Sequence, residues 1–317
     1  MALEAGADLV IELPFLFSCN AAPEFARGAV SLLELTGLAG CLAFGMEDTD
    51  FDVDSLVNIM STEEYSASLR SNLSDGASFS KANALALEKL LPGSCEFISK
   101  PNNLLAVSYI LNISKHMSIL AVKREGAFKS KIIRENLIRS LDMMPDYSQK
   151  ILRESELADE SKLWSLLQNI FIRSKPDELR KIYGIDEGIE NLFLKNWRRA
   201  KNLDDFIGLC VCARYTRAHI RRRLVYILLN LGRYEVQGFM RSGVPYCRVL
   251  AFNSLGREIL RECRSKSQIR IITSLKQAKS KHEKFFAQVE YRASQLYALL
   301  FDNPDMSQES HRVLQFP

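Results

Sequence analysis

The spacing of apolar positions changes along the chain. Residues 8–13 form a short apolar run closed by Pro14, which predicts a buried strand. Residues 23–35 take helical spacing, with Phe25, Ala29, Leu32 and Leu33 on one side, and Gly37 ends the run. Residues 41–44 predict a second buried strand ending at Gly45. Helices are predicted over 54–60, 63–73 and 81–91. Pro101-Asn102-Asn103 opens another over 104–114, and 118–123 is a third apolar strand. Strands alternating with helices predict an α/β fold with a parallel, doubly wound, Rossmann-like sheet.

The pattern breaks near residues 140–160, at Met143-Met144-Pro145-Asp146 and an acidic, polar stretch over 154–160. Helical spacing dominates afterwards, over 163–172, 176–183, 187–199, 203–214 and 216–231. This predicts a sheet domain over 1–145, a mostly α-helical domain over 155–301 and an irregular tail over 302–317.

Charge sharpens that division. The net charge is +4, yet residues 1–100 carry 5 Lys+Arg against 15 Asp+Glu, while residues 195–284 carry 21 against 6. An arginine-rich excess in one half points to a polyanionic partner. In 216–231, Ile220, Leu224, Ile227, Leu228 and Leu231 form an apolar stripe. At 100° per residue, Arg214, Arg217 and Arg221 fall in one sector of roughly 60° beside it, with Arg222 and His219 further round. A packed face beside a cationic one suits binding to an RNA backbone. A helix kept soluble by arginines would look the same.

No run of 18 apolar residues predicts a membrane span, and no signal peptide is apparent. The seven cysteines are scattered, which predicts buried, reduced thiols in a cytoplasmic protein, and Cys210-Val211-Cys212 alone is poor evidence for zinc. The four histidines have no metal-ligand spacing, and no P-loop is present.

Ligands of doubly wound sheets bind at the carboxyl ends of strands. Three features fall there. Gly45, in Phe44-Gly45-Met46-Glu47, allows close approach to a nucleotide or merely makes a turn. Asn102 and Asn103 can cap a helix or bond a ribose or adenine edge. Lys123-Arg124 suits a triphosphate or forms a surface ion pair.

The run Ala2-Leu3-Glu4-Ala5-Gly6-Ala7-Asp8-Leu9-Val10-Ile11-Glu12-Leu13-Pro14, followed in order by Phe44-Gly45-Met46-Glu47, Pro101-Asn102-Asn103-Leu104-Leu105, Lys123-Arg124 and Arg214-Tyr215-Thr216, resembles the bacterial tRNA(Met) cytidine acetate ligases. The resemblance extends over nearly the whole chain. It implies an enzyme with a nucleotidyltransferase domain, using ATP, with magnesium, to activate acetate as acetyl-adenylate. The acetyl group would then pass to N4 of the wobble cytidine of elongator tRNA(Met). Gly45, Asn102, Asn103 and Arg124 would be ATP contacts, with Arg124 acting on the phosphates. Ser130-Lys131-Ile132-Ile133-Arg134 fits a further family motif imperfectly and adds Arg134. Arg214, Arg217, Arg221 and Arg222 would contact RNA. The resemblance also implies that the chain begins after the family's first strands and its Asn-Pro-Phe-His-Asn-Gly-His-type motif. The alternative expectation is therefore a tRNA-binding remnant without adenylation activity.

Overall fold

Two adjoining strands set the geometry of the amino-terminal half. β2 (Cys41–Met46) and β3 (Ser118–Lys123) pair in parallel, from Cys41 opposite Ser118 to Met46 opposite Lys123. A parallel pair needs a long crossover. Here five helices supply it: α3 (Val53–Met60), α4 (Glu63–Ser74), α5 (Phe79–Leu90), α6 (Ser94–Ser99) and α7 (Pro101–Ile110). Before β2 lie β1 (Leu9–Glu12), α1 (Phe15–Ser18) and α2 (Ala22–Leu35). The computed structural model describes residues 1–77, 79–124, 140–307, 309 and 314–315.

The carboxyl-terminal half is mostly helical. α8 (Asp146–Glu154), α9 (Lys162–Arg173), α10 (Pro176–Leu179), α11 (Ile189–Asn196), α12 (Leu203–Cys210), α13 (Arg217–Leu228) and α14 (Arg233–Arg241) come first. Then follow β4 (Cys247–Phe252), α15 (Ser254–Lys266), β5 (Ile271–Ile272), α16 (Lys281–Ala298) and β6 (Leu314–Gln315). The expected α/β architecture is present, with corrections. Residues 8–13 do not sit beside β2: β1 pairs antiparallel with β4, Leu9 opposite Phe252 and Glu12 opposite Arg248. The tail expected to be irregular contributes β6, which pairs in parallel with β4. β4 escaped the periodicity because Cys247, Arg248, Val249 and Ala251 are buried and only Leu250 is exposed, so the strand does not alternate.

β3 is the apolar strand expected over 118–123, and all six of its residues are exposed, Leu120 at 55% and Val122 at 51%. Among the described residues neither outer edge of the β2–β3 pair has a partner. The expected helix over 203–214 stops at Cys210, where Val211 turns extended, and α13 begins only after Thr216. The hydroxyl of Thr216 accepts the N–H of His219 at 3.2 Å, a side-chain cap that fixes the helix start. All seven cysteines are free, but Cys41 and Cys212 are exposed rather than buried.

The largest core crosses residues 145–155. Leu16, Phe17 and Leu32 pack with Trp164, Phe171, Phe193, Phe206, Ile220, Tyr226 and Phe286. Phe17 stacks on Phe286 at 5.9 Å and is fully buried, which stabilises by about 2–3 kcal/mol. A second core joins Met46 to Leu56, Tyr65, Leu87, Phe97 and Val107, between the end of β2 and the crossover helices. Against β2, Phe44 meets Tyr109 at 5.4 Å and Tyr109 meets Phe25 at 6.5 Å, so α2 and α7 flank the strand. Among the described residues, no helix is long and apolar enough to cross a membrane.

Candidate functional site

The parallel pairing brings the carboxyl ends of β2 and β3 to one edge. There the Arg124 N–H donates to the Met46 carbonyl at 2.9 Å. The aliphatic stem of Arg124 lies across Gly45, where an added Cβ would come within 3.2 Å of its Cγ. Gly45 lies within β2 rather than in a turn, and its missing Cβ leaves room for the Arg124 stem. Three of the expected residues, Gly45, Arg124 and Asn102, converge at this edge with the start of α7. Arg134 lies outside the described residues.

Glu47, directly after β2, clamps the first turn of α7. Its carboxylate accepts the Asn103 N–H at 2.9 Å, the Asn102 N–H at 3.4 Å and the Asn102 side-chain amide at 2.6 Å. Free N–H groups and the positive end of the helix dipole favour a negative charge here. Glu47 supplies it from outside the helix, so neither asparagine acts as the cap residue. Asn103 is fully buried. Its oxygen accepts the Glu47 and Asp48 N–H groups at 2.8 and 3.2 Å, and its amide donates to Asp48 at 2.6 Å and to the Phe97 carbonyl at 3.1 Å. Lys100 closes the arrangement with bonds of 2.7 and 2.9 Å to Asp48. Hydrogen bonding from Lys100, then from Asn103, holds the Asp48 carboxyl below the usual range. Asn102 stays partly exposed beside this network. The sequence left the two asparagines equivalent; helical geometry turns Asn103 inward and leaves Asn102 partly exposed on Glu47.

A cavity of about 390 Å³ lined by Ser31, Glu34, Gly37, His116 and Gln268 lies at the opposite edge, where Ala39 and Met117 precede β2 and β3. Among the described residues no group of three or more His, Cys, Asp or Glu side chains could hold a metal ion.

The basic half differs from its sequence expectation. Arg214 precedes the Thr216 cap, so it shares no helical sector with Arg217 and Arg221. Those two are exposed but already paired, Arg217 with Asp204 and Arg221 with Glu160. Arg222 is only partly exposed, and burial lowers its pKa. A different stripe carries free charge. Arg257, Arg261 and Arg264 on α15 are all exposed, and none makes an ion pair among the described residues. At i, i+4 and i+7 they share a sector of roughly 60°. Glu258 and Glu262 lie to one side of it and buried Gly256, Leu260 and Cys263 to the other. Their spacing is legible in the sequence once the helix is known.

A parallel strand pair with Gly45, Arg124 and Asn102 at its carboxyl ends, joined to a basic helical half, is compatible with a nucleotide-binding enzyme. The chain belongs to the HIGH Nucleotidyl Transferase family, which matches residues 1–312. Within that class it belongs to the tRNA(Met) cytidine acetate ligases and is an enzyme of that family. A relative so named from Clostridium perfringens is 32% identical over 99% of this chain and 84% of its own length. Another, from Caldanaerobacter subterraneus, is 33% identical over 96% and 82%. The structure is similar to a crystal structure of Thermotoga maritima TmcAL bound with alpha-thio ATP. The TM-score is 0.89 at 25% identity, covering 99% of this chain and 85% of that one.

Proposed function

We propose that this protein activates acetate with ATP as acetyl-adenylate and acetylates N4 of the wobble cytidine of elongator tRNA(Met). The observation that carries the nucleotide half of this reading is the convergence of Gly45, Arg124 and Asn102 at the carboxyl ends of two parallel strands. Residues 1–145 would form the nucleotide-binding part and 155–301 the part that holds the tRNA. The acetate carboxylate attacks the α-phosphate and pyrophosphate leaves. The cytidine amine then attacks the acetyl carbonyl, AMP leaves, and the amine proton is lost. Such chemistry depends on positioning and on charge stabilisation at the phosphates.

Arg124 would stabilise phosphate charge, held in place by its stem on Gly45. Asn102 would offer its amide to the nucleoside, while Asn103 holds the Glu47-Asp48 loop. Arg134 would add a further phosphate contact. Magnesium would enter with the triphosphate. The RNA would lie on the basic half, with Arg214, Arg217, Arg221 and Arg222, and the arginines of the α15 stripe, among its contacts. A cytoplasmic site of action goes with such a substrate.

Nucleoside mass spectrometry of tRNA(Met) incubated with the protein, ATP and acetate tests the reading. N4-acetylcytidine at the wobble position is the expected product, and Arg124→Ala should remove most of it. Tight binding of tRNA and ATP without any product would overturn the ligase reading and leave tRNA binding alone.

A further inference from the structure

α13 carries cations on both flanks of its buried stripe, Ile220, Leu224 and Ile227. Arg217 and Arg221, on one flank, have carboxylate partners. On the other flank His219, Arg222, Arg223 and Tyr226 share a sector of about 100°. This flank faces the end of α1. The Tyr226 hydroxyl donates to the Cys19 carbonyl, and both arginines act electrostatically on the Cys19 thiol.

Neither Arg222 nor Arg223 makes an ion pair or hydrogen bond among the described residues. The Nε atoms of both, and Nε2 of His219, are buried without a partner. Arg223 rests against the Tyr226 ring at 5.5 Å. It also lies on the backbone of Gly184, whose φ of +72° suits glycine and where a Cβ would come within 2.7 Å of the Arg223 Nε. No carboxylate is among the groups that shift Arg222. Burial, then Arg223 and Arg222, push the His219 pKa down to about 4, against a weaker opposing effect of Asp186.

Half-buried cations are ordinarily paired, because losing hydration without a counter-charge is costly. Their Nε and Nε2 atoms are buried, but each of the three residues keeps part of its surface exposed, the side from which a ligand would approach. Two guanidinium forks beside an imidazole suit a tetrahedral oxyanion. We propose that Arg222, Arg223 and His219 form a phosphate site that takes a backbone phosphodiester of the RNA substrate. Assigning the phosphate to RNA rests on the proposed function; the site itself rests on the unpaired cations.

Histidine NMR titration of the full chain separates the two, with His219→Asn identifying the resonance. Inorganic phosphate should raise the His219 pKa by about one unit or more, as a nearby anion does. Unmodified tRNA(Met) should do the same at far lower concentration. The double variant Arg222→Gln/Arg223→Gln should start from a higher His219 pKa and lose both responses. If circular dichroism shows that variant unfolded, Arg223→Lys replaces it; it keeps the charge, loses the fork and should weaken the response. A phosphate response with no RNA response would overturn the RNA assignment. A His219 resonance indifferent to both would overturn the site.

Discussion

Asn103 spends all four hydrogen bonds of its buried amide on the loop after β2 and on α6. Replacing it with alanine leaves two loop N–H groups without a partner and takes one of its two donors from the Phe97 carbonyl. Asn103→Ala should therefore cost about 2–4 kcal/mol in a denaturant titration. Asn102→Ala loses only a partly exposed bond to Glu47. It should cost less than about 1 kcal/mol while weakening ATP binding measured by calorimetry. Equal destabilisation by the two variants would refute the division of labour between them. The sequence could not make this distinction. Adjacent residues on a helix point 100° apart, and only the packing of α7 against β2 decides which direction is inside.

Charge on a helix counts toward a partner only where it is not already answered. Arg217 and Arg221 have Asp204 and Glu160 beside them, whereas Arg257, Arg261 and Arg264 have no ion pair among the described residues. Replacing the three α15 arginines with glutamine should flatten the salt dependence of tRNA binding by roughly 0.7–0.9 per lost phosphate contact. Arg217→Gln/Arg221→Gln should change the slope less per residue. Titrations at several salt concentrations decide between them, and a larger loss from the α13 pair would reverse the ranking. The sequence revealed the basic half but ranked its arginines by periodicity alone. The Thr216 cap places Arg214 outside the helix, and the acidic partners of the other two come from α12 and the turn before α9.

Across the whole molecule, β1, β4, α16 and Glu309 of the tail meet at one buried cluster of charge. Arg248 bonds Glu12 at 3.1 and 3.2 Å and pairs with Glu309 at 2.5 Å. Glu290 accepts the Phe15 N–H at 2.5 Å. Two carboxylates hold the one guanidinium, and Glu290 lies close enough to feel their charge. Burial, then the Glu12 charge, push the Glu290 pKa up to about 8. A carboxyl whose folded pKa exceeds its unfolded value holds more protons in the native state. Its contribution is thus intact below about pH 4 and is lost as pH rises toward 8. Thermal melts should show stability falling across that window, with Glu290→Gln removing much of the fall, by a few kcal/mol in order of magnitude. Identical pH profiles for the variant and the natural protein would refute this account.

The sequence by itself predicted strands over 8–13, 41–44 and 118–123, observed at 9–12, 41–46 and 118–123, together with the change from alternating elements to helices and the asymmetry of charge. These follow from local spacing and composition, which need no distant partner. It also placed Gly45, Asn102 and Arg124 in an order that the fold then brought together. Tertiary structure alone decided that β1 pairs with β4 across more than 200 residues, that the tail returns as β6, and that Arg222 and Arg223 lie unpaired against Cys19 and Gly184. Strand pairing is set by backbone groups common to every residue. Burial of a charge is set by whatever packs around it. Neither is written in the residues that undergo it.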